Sequence, residues 1–479
     1  MSTPPFRYDG YQIDPGRGVL SCRYSIGDYR FTEQVTVPGA APERWAREDA
    51  GEAARLVFLL SGVSYYKTAA PPVIDLGETA VTDTERAFLR AFYTGGLAEF
   101  GYRNGLDLSG LQIEGPSRPS PARPAGQPAR TQSPQTRAGR PLVPFGGGID
   151  SIVTTEMIRA RAEPALFIVS RPDDRFEAIE RPAAVTGLPV IRAEREIDPQ
   201  LLRSCDLGFL NGHVPVTGII SAIAVLAAVL DGRDAVVMSN EWSASIPTLE
   251  VNGSPVNHQY SKSGAFEGAF REVLAGALGP DFAYFSALRP FSELWVARRF
   301  ARLTQYHDTF RSCNRAFHID KSLRLDHWCG RCDKCCFIDL ILAPFVPAAD
   351  LERIFGGHEP LGGDDMTDAD PASTGLSSTD LSSTGLSSTD AGTGLADKFR
   401  SLLGTSPTSK PFECVGEVGE CRAAALLAAQ RPDRAGTKLL QVLAAELDGL
   451  PQLSTPAELL RPLGRHFIPD AYAPDDLLV

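Results

Sequence analysis

The chain has 479 residues, of which 43% are hydrophobic and 22% charged, and its formal net charge is −12. That length exceeds what one core usually supports, so two or three globular domains are expected. The acidic balance, with a pI near 5.2, argues against nonspecific attraction to nucleic acid or an anionic membrane and points to small-molecule substrates.

The N-terminal MSTPPFRYDGYQ has no basic segment followed by an apolar one, so no secretory signal is expected. Alternation of apolar and polar residues predicts short strands over Phe6–Gln12, Gly18–Ser25 and Tyr29–Val37, separated by Asp14-Pro15-Gly16 and Gly27-Asp28. Helices are predicted from near Glu43 to Tyr66 and from Thr82 to Tyr102, the second opened by the cap-like Thr82-Asp83-Thr84-Glu85. Residues 1–114 thus read as an α+β unit. The stretch 115–141 is Pro- and Arg-rich, and from Gly115 to Pro141 no residue is acidic; it reads as a linker or surface insertion.

From Leu142 the pattern becomes β-α-β. Strands are predicted at Leu142–Phe145, Ala165–Ser170, Leu188–Ala193 and Ala235–Ser239, with helices at Ser151–Ala162 and Val216–Leu230. The last contains the longest apolar run, Gly218–Leu230, which is too short to span a bilayer and reads as a buried helix. No membrane partner and a cytoplasmic location are expected. Such alternation predicts an α/β parallel sheet over 142–312, with ligands bound beyond the carboxyl ends of the strands. A cysteine-bearing region follows at 313–361. Then comes a low-complexity insertion at 362–394, in which STGLSSTDLS is followed directly by STGLSSTDAG. Residues 395–479 read as a helical C-terminal region.

The loop Gly146-Gly147-Gly148-Ile149-Asp150-Ser151 joins a predicted strand to a predicted helix. Glycines there let backbone N–H groups approach an anion, and the helix N-terminus adds favourable partial charge. Asp150 is a candidate Mg²⁺ ligand and Ser151 a candidate phosphate donor. The Gly-Lys-Ser/Thr ending of a Walker loop is absent. The hexapeptide resembles instead the Ser-Gly-Gly-x-Asp-Ser loop of the N-type ATP pyrophosphatases, with Gly146 where that family commonly has Ser. This resemblance implies an ATP pyrophosphatase-like (adenine nucleotide alpha hydrolase-like) domain that binds ATP through Gly146, Gly147, Gly148, Asp150 and Ser151 and releases AMP and pyrophosphate.

A wider resemblance is carried by Phe6-Arg7-Tyr8, by Pro144-Phe145 leading into the loop, by Ser239-Asn240-Glu241, and by Trp328-Cys329-Gly330-Arg331-Cys332-Asp333-Lys334-Cys335-Cys336. Over roughly 5–114 and 142–360 the chain resembles the UDP-N-acetylmuramoyl-L-alanyl-L-glutamate epimerases of peptidoglycan synthesis. The resemblance implies inversion of the terminal L-Glu of the nucleotide-linked dipeptide, with ATP and Mg²⁺ required. The chemistry is coherent: an acyl-adenylate removes the carboxylate charge that makes the adjacent Cα proton hard to abstract, and a base of tuned pKa then takes it.

Four residues are candidates for proton transfer or substrate contact. His213 lies at a loop-to-helix junction, Glu241 follows the fourth strand of the α/β region, and His258 and Lys262 lie in the polar run Asn257–Ser263. Glu241 is equally a candidate Mg²⁺ ligand. The plain alternatives are a loop histidine bonded to backbone, a loop-capping glutamate and a solvated polar loop. Cys329, Cys332 and Cys335, with Cys313 upstream, offer the thiolates of a tetrahedral Zn²⁺ site, with Cys336 outside it; reduced core cysteines and redox use are the alternatives. Their spacing resembles the zinc knot of deazaguanine-synthesising ATP pyrophosphatases. A deazaguanine- or tRNA-modifying pyrophosphatase therefore stands as the rival to the epimerase, and a nucleotide-binding regulatory protein as a third reading.

Overall fold

The computed structural model describes residues 4–119, 139–251, 253–318, 320–362, 394–406 and 415–477. Most of the predicted linker and nearly all of the tandem-repeat insertion lie outside them. The strands in chain order are β1 (Phe6–Asp14), β2 (Val19–Ile26), β3 (Tyr29–Thr36), β4 (Val73–Asp75), β5 (Gln112–Glu114) and β6 (Pro141–Pro144). They continue with β7 (Ala165–Ser170), β8 (Val190–Glu196), β9 (Ala235–Met238), β10 (Leu249–Val251), β11 (Ser254–Val256) and β12 (Ala283–Ser286).

Ten of these form one sheet in the order β12-β9-β6-β7-β8-β3-β2-β1-β4-β5, and β10 and β11 form a separate hairpin. The chain is therefore α/β with a large, mostly parallel sheet. The block β12 to β8 is parallel, β3-β2-β1 is an antiparallel meander, and β4 and β5 extend it in parallel. The sequence pattern divides 1–114 from 142–312, yet the two share this sheet. Antiparallel pairing of β3 with β8 aligns Gln34 with Glu196 and Thr36 with Glu194. At that seam the buried Glu33 accepts from Arg195 Nε at 2.9 Å and from Tyr65 Oη at 3.0 Å. The satisfied ion pair holds the seam, since either charge buried alone would be costly.

The strands send alternate residues to opposite faces, as a period-two element must, with Val143, Val237 and Phe285 in a small cluster with Ile468 and Tyr472. Leu142, Phe167 and Val236 join the N-terminal helices in one core, while Leu166 and Ile168 face the other, which the C-terminal helices complete. The helix predicted over Glu43–Tyr66 is three pieces, Pro42–Trp45, Glu48–Ser61 and Val63–Tyr66. The one predicted over Thr82–Tyr102 is Asp83–Gly96 followed by Ala98–Asn104. Its start carries the expected reciprocal cap between Thr82 and Glu85, a device worth about 1 kcal/mol. The first residues after 114 also belong to the fold: Arg118 donates to both Glu52 and Glu85.

Chain order β6, β7, β8 runs to one side of β6 and β9, β12 to the other. The chain thus reverses direction between β6 and β9, and the loops leaving their carboxyl ends diverge to open a crevice. No helix among the described residues is long and apolar enough to cross a membrane.

Candidate active site

β6 delivers the glycine loop to that crevice, tied at its start by Phe145 N donating to Phe167 O at 2.8 Å. Gly147 has φ +76°, and a Cβ there would lie 2.3 Å from Ala178 O, so only glycine fits. A Cβ at Gly146 would meet nothing within 4 Å, so the missing serine hydroxyl is not excluded by space. Helix Ile149–Arg159 begins at Gly148, which is extended and gives no side-chain cap to the first-turn N–H groups. Those donors and the helix dipole suit an anion. Ser151 Oγ donates to Gly148 O at 3.0 Å, so in this structure its proton braces the loop.

Asp150 on this helix, Glu241 after β9 and Glu293 at the first turn of helix Glu293–Phe300 converge, each offering a carboxylate oxygen within 4.8 Å of the others. Glu241 and Glu293 are buried. Burial, then the charges of Asp150 and Glu241, pushes the Glu293 carboxyl well above the usual range. Glu293 Oε2 is buried and has no hydrogen-bond partner among the described residues. An orphaned oxygen among three acids, two of them buried and Asp150 half-buried, fits one hard divalent cation such as Mg²⁺, whose charge would relieve their repulsion. The C-terminal region buttresses this corner: Glu420 Oε1 accepts from Glu293 N at 2.9 Å, and Ser292 Oγ donates to Leu459 O at 2.7 Å.

His213, His258 and Glu99 form a second cluster, their potential ligand atoms also within 4.8 Å of one another. The two imidazoles have centroids 4.1 Å apart, and Glu99 Oε2 stands 2.5 Å from His258 Nδ1. Burial tends to raise the Glu99 carboxyl, but the His258 hydrogen bond and nearby cationic charge leave it below its ordinary value. Burial, then His258, pushes His213 down to about 3. The neighbouring loop is held by Lys67 Nζ, which donates to Asn211 Oδ1 at 2.8 Å and Gly212 O at 3.1 Å. Burial lowers Lys67 itself to about 8.

The charge of Lys262 acts on His213 from the adjoining turn. The buried Arg289 ties the Glu241 loop to the Lys262 turn, donating to Glu241 O at 2.8 Å, to Lys262 O and to Glu267 Oε2 at 2.9 Å. Both clusters lie on the carboxyl side of the parallel strands. Of the predicted proton-transfer residues, His213 and His258 meet, Lys262 flanks them, and Glu241 joins the acids instead. A separate cavity of about 620 Å³, lined by Arg44, Asp173, Arg192 and Glu194 among others, includes none of these groups.

Cys313, Cys329, Cys332 and Cys335 bring their sulfurs within 4.8 Å of one another. Cys336 is buried and outside the set.

Two family models match the chain: the MurL N-terminal domain over residues 1–287, and the MurL C-terminal domain over 309–377 and 389–458. The chain belongs to the MurL family. It is 37% identical to a Salinispora tropica protein named UDP-N-acetyl-alpha-D-muramoyl-L-alanyl-L-glutamate epimerase, over 98% of this chain and 94% of that relative. A Micromonospora protein of the same name is 37% identical over 98% and 96%. One from Xanthomonas oryzae pv. oryzae is 36% identical over 97% and 95%. Glu99 and Glu293, together with Arg289 beside them, belong to this candidate site and were missed by sequence reasoning. Glu293 had a local signal, because Ser292 caps its helix, but the short strand before it was not predicted.

Proposed function

We propose that this chain is the epimerase its relatives are named for, inverting the terminal L-Glu of UDP-N-acetylmuramoyl-L-Ala-L-Glu to D-Glu at the expense of ATP. The observation that carries the reading is the convergence of Asp150, Glu241 and Glu293 beside the glycine loop at the sheet's switch point. In this reading the crevice is an ATP pyrophosphatase-like site. Mg²⁺ bound by the three carboxylates would neutralise phosphate charge. The loop N–H groups hold the β- and γ-phosphates, and the substrate carboxylate attacks the α-phosphorus. The bond to the β-phosphate oxygen breaks and pyrophosphate leaves.

The acyl-adenylate so formed acidifies the adjacent Cα–H. His258, oriented by Glu99, and the neutral His213 are the groups assigned to removing that proton and returning one to the opposite face, with Lys262 offsetting nearby anionic charge. Water then cleaves the adenylate to AMP and the free carboxylate. The rival, a base-modifying pyrophosphatase, shares the loop but is not favoured by the relatives' names.

The test is incubation with ATP, Mg²⁺ and UDP-N-acetylmuramoyl-L-Ala-L-Glu, with chiral analysis of glutamate after acid hydrolysis. Each D-Glu formed should accompany one AMP and one pyrophosphate. ATP cleavage with the dipeptide untouched would point to the rival. Inversion without ATP would remove the loop from the chemistry.

A further inference from the structure

The glycine loop lacks the lysine of a Walker loop and, at Gly146, a serine hydroxyl. A leaving pyrophosphate needs cationic and hydrogen-bonding partners from elsewhere in the fold. The cysteine cluster stands beside the loop and carries such groups. Cys332 Sγ is 3.4 Å and Cys329 Sγ 3.6 Å from Cys335 Sγ, both well beyond a disulfide bond. Four thiolates bound tetrahedrally at about 2.3 Å from one zinc ion would stand about 3.8 Å apart, close to these separations. Cys332 N donates to Cys329 Sγ at 3.3 Å, and Cys335 N to Cys332 Sγ at 3.4 Å. Such N–H groups stabilise sulfur as thiolate. Cys313, Cys332 and Cys335 are buried, so the set forms a closed site of the structural kind.

Of the residues next to these sulfurs in sequence, one touches the loop and another opens the helix that packs against the one bearing Glu293. Ser312, which precedes Cys313, places its Oγ 2.9 Å from where a Cβ on Gly148 would be, directly against the start of the loop helix. Lys334, between Cys332 and Cys335, lies in the first turn of helix Asp333–Leu342, which packs against helix Glu293–Phe300, and its ammonium stands 5.3 Å over the Phe337 ring.

We propose that zinc held by Cys313, Cys329, Cys332 and Cys335 fixes Ser312 and Lys334 at the glycine loop, where both contact the pyrophosphate released from ATP. The zinc part stands on the sulfur geometry alone; the pyrophosphate part rests on the function proposed above. Zinc binding displaces the thiol protons to solvent, with no change of oxidation state.

The intact protein should carry about one zinc per chain, the content of a single four-thiolate site. Replacing it with Co²⁺ should give the visible absorption of a tetrahedral thiolate complex, and Cys336→Ser should keep both signals. Metal-free folded protein whose four thiols all react with a thiol reagent, or are found paired as disulfides, would overturn the site.

For the second part, binding of inorganic pyrophosphate with Mg²⁺ is measured by calorimetry. Lys334→Gln should retain zinc yet bind pyrophosphate at least about tenfold more weakly, the effect of losing about 1.4 kcal/mol. Ser312→Ala should show a smaller loss. Wild-type affinity in Lys334→Gln would overturn the phosphate role while leaving the zinc site standing. Wild-type protein that binds no pyrophosphate would overturn that role and the ATP reading together.

Discussion

Glu99 Oε2 stands 2.5 Å from His258 Nδ1, so a carboxylate from the N-terminal helices orients an imidazole of the α/β half. An ionised carboxylate can only accept, which puts the proton on Nδ1 and leaves Nε2 with the lone pair. Arg103 Nε, donating to the other Glu99 oxygen at 2.6 Å, favours the ionised form. Because β3–β8 pairing makes the two halves one sheet, Glu99 is held against the histidines by the fold itself.

Glu99→Gln should lower kcat for inversion about 100-fold, the lower end of what a positioned acid–base group contributes, with KM little changed. The activity against pH should shift as well, because His258 loses its anionic partner. Initial rates from pH 6 to 9 measure both. An unchanged kcat and an unchanged profile would show that the pair is only structural.

Glu293→Gln should keep the fold, because it removes one of three crowded carboxylates and relieves repulsion. It should reduce Mg²⁺-dependent AMP formation by about 100-fold or more, the scale of losing one charge-stabilising group at a reacting centre. Asp150→Asn should behave alike. AMP release at fixed ATP over a Mg²⁺ titration measures this, and near-normal turnover in either variant would sink the acid site.

Much of this was legible because it is local. β1–β3 follow the period-two pattern, Thr82 and Glu85 announce their cap, and the glycine loop lies between an apolar strand and a helix. The groupings were not. Asp150 and Glu241 each stood out, yet their meeting depends on β6 and β9 being neighbours, a matter of strand order. Glu293 follows β12, four residues whose edge pairing with β9 leaves too short a pattern to read. Glu99 lies on a short helix that reads as ordinary surface until β3 joins β8 and brings that half against the histidines. The predicted long helices break near Arg47, Gly62 and Leu97, where tertiary packing overrides a continuous helical pattern.

His213 carries a pH signature. Burial, then His258, lowers it from 6.5 to about 3, so between those values the unfolded chain binds a proton that the folded chain refuses. Its contribution to stability is complete above about pH 6.5 and is lost as the pH falls through that window. The slope stays below the roughly 1.4 kcal/mol per pH unit of a fully withheld proton, because His213 is partly exposed. Urea midpoints at pH 7.5 and 5 should therefore fall less in His213→Gln than in the wild type. Equal falls would mean that the imidazole is not held neutral.

Turnover in D₂O should place deuterium at the glutamyl Cα of the D-product, and only when ATP and Mg²⁺ are present. The argument is one of order. The free carboxylate next to Cα opposes carbanion formation by placing charge beside charge, so in the proposed mechanism adenylation precedes proton removal. An ATP analogue that cannot be cleaved between its α- and β-phosphates should therefore allow binding but neither exchange nor inversion. Asp150→Asn, blocked at activation, should give no exchange. Glu99→Gln, which activates normally, should still form pyrophosphate while incorporating deuterium slowly. Exchange that persists in Asp150→Asn or without ATP would separate proton transfer from the crevice and overturn this sequence of steps. Exchange lost in Asp150→Asn and slowed in Glu99→Gln would assign activation to the acids beside the loop and proton transfer to the paired histidines.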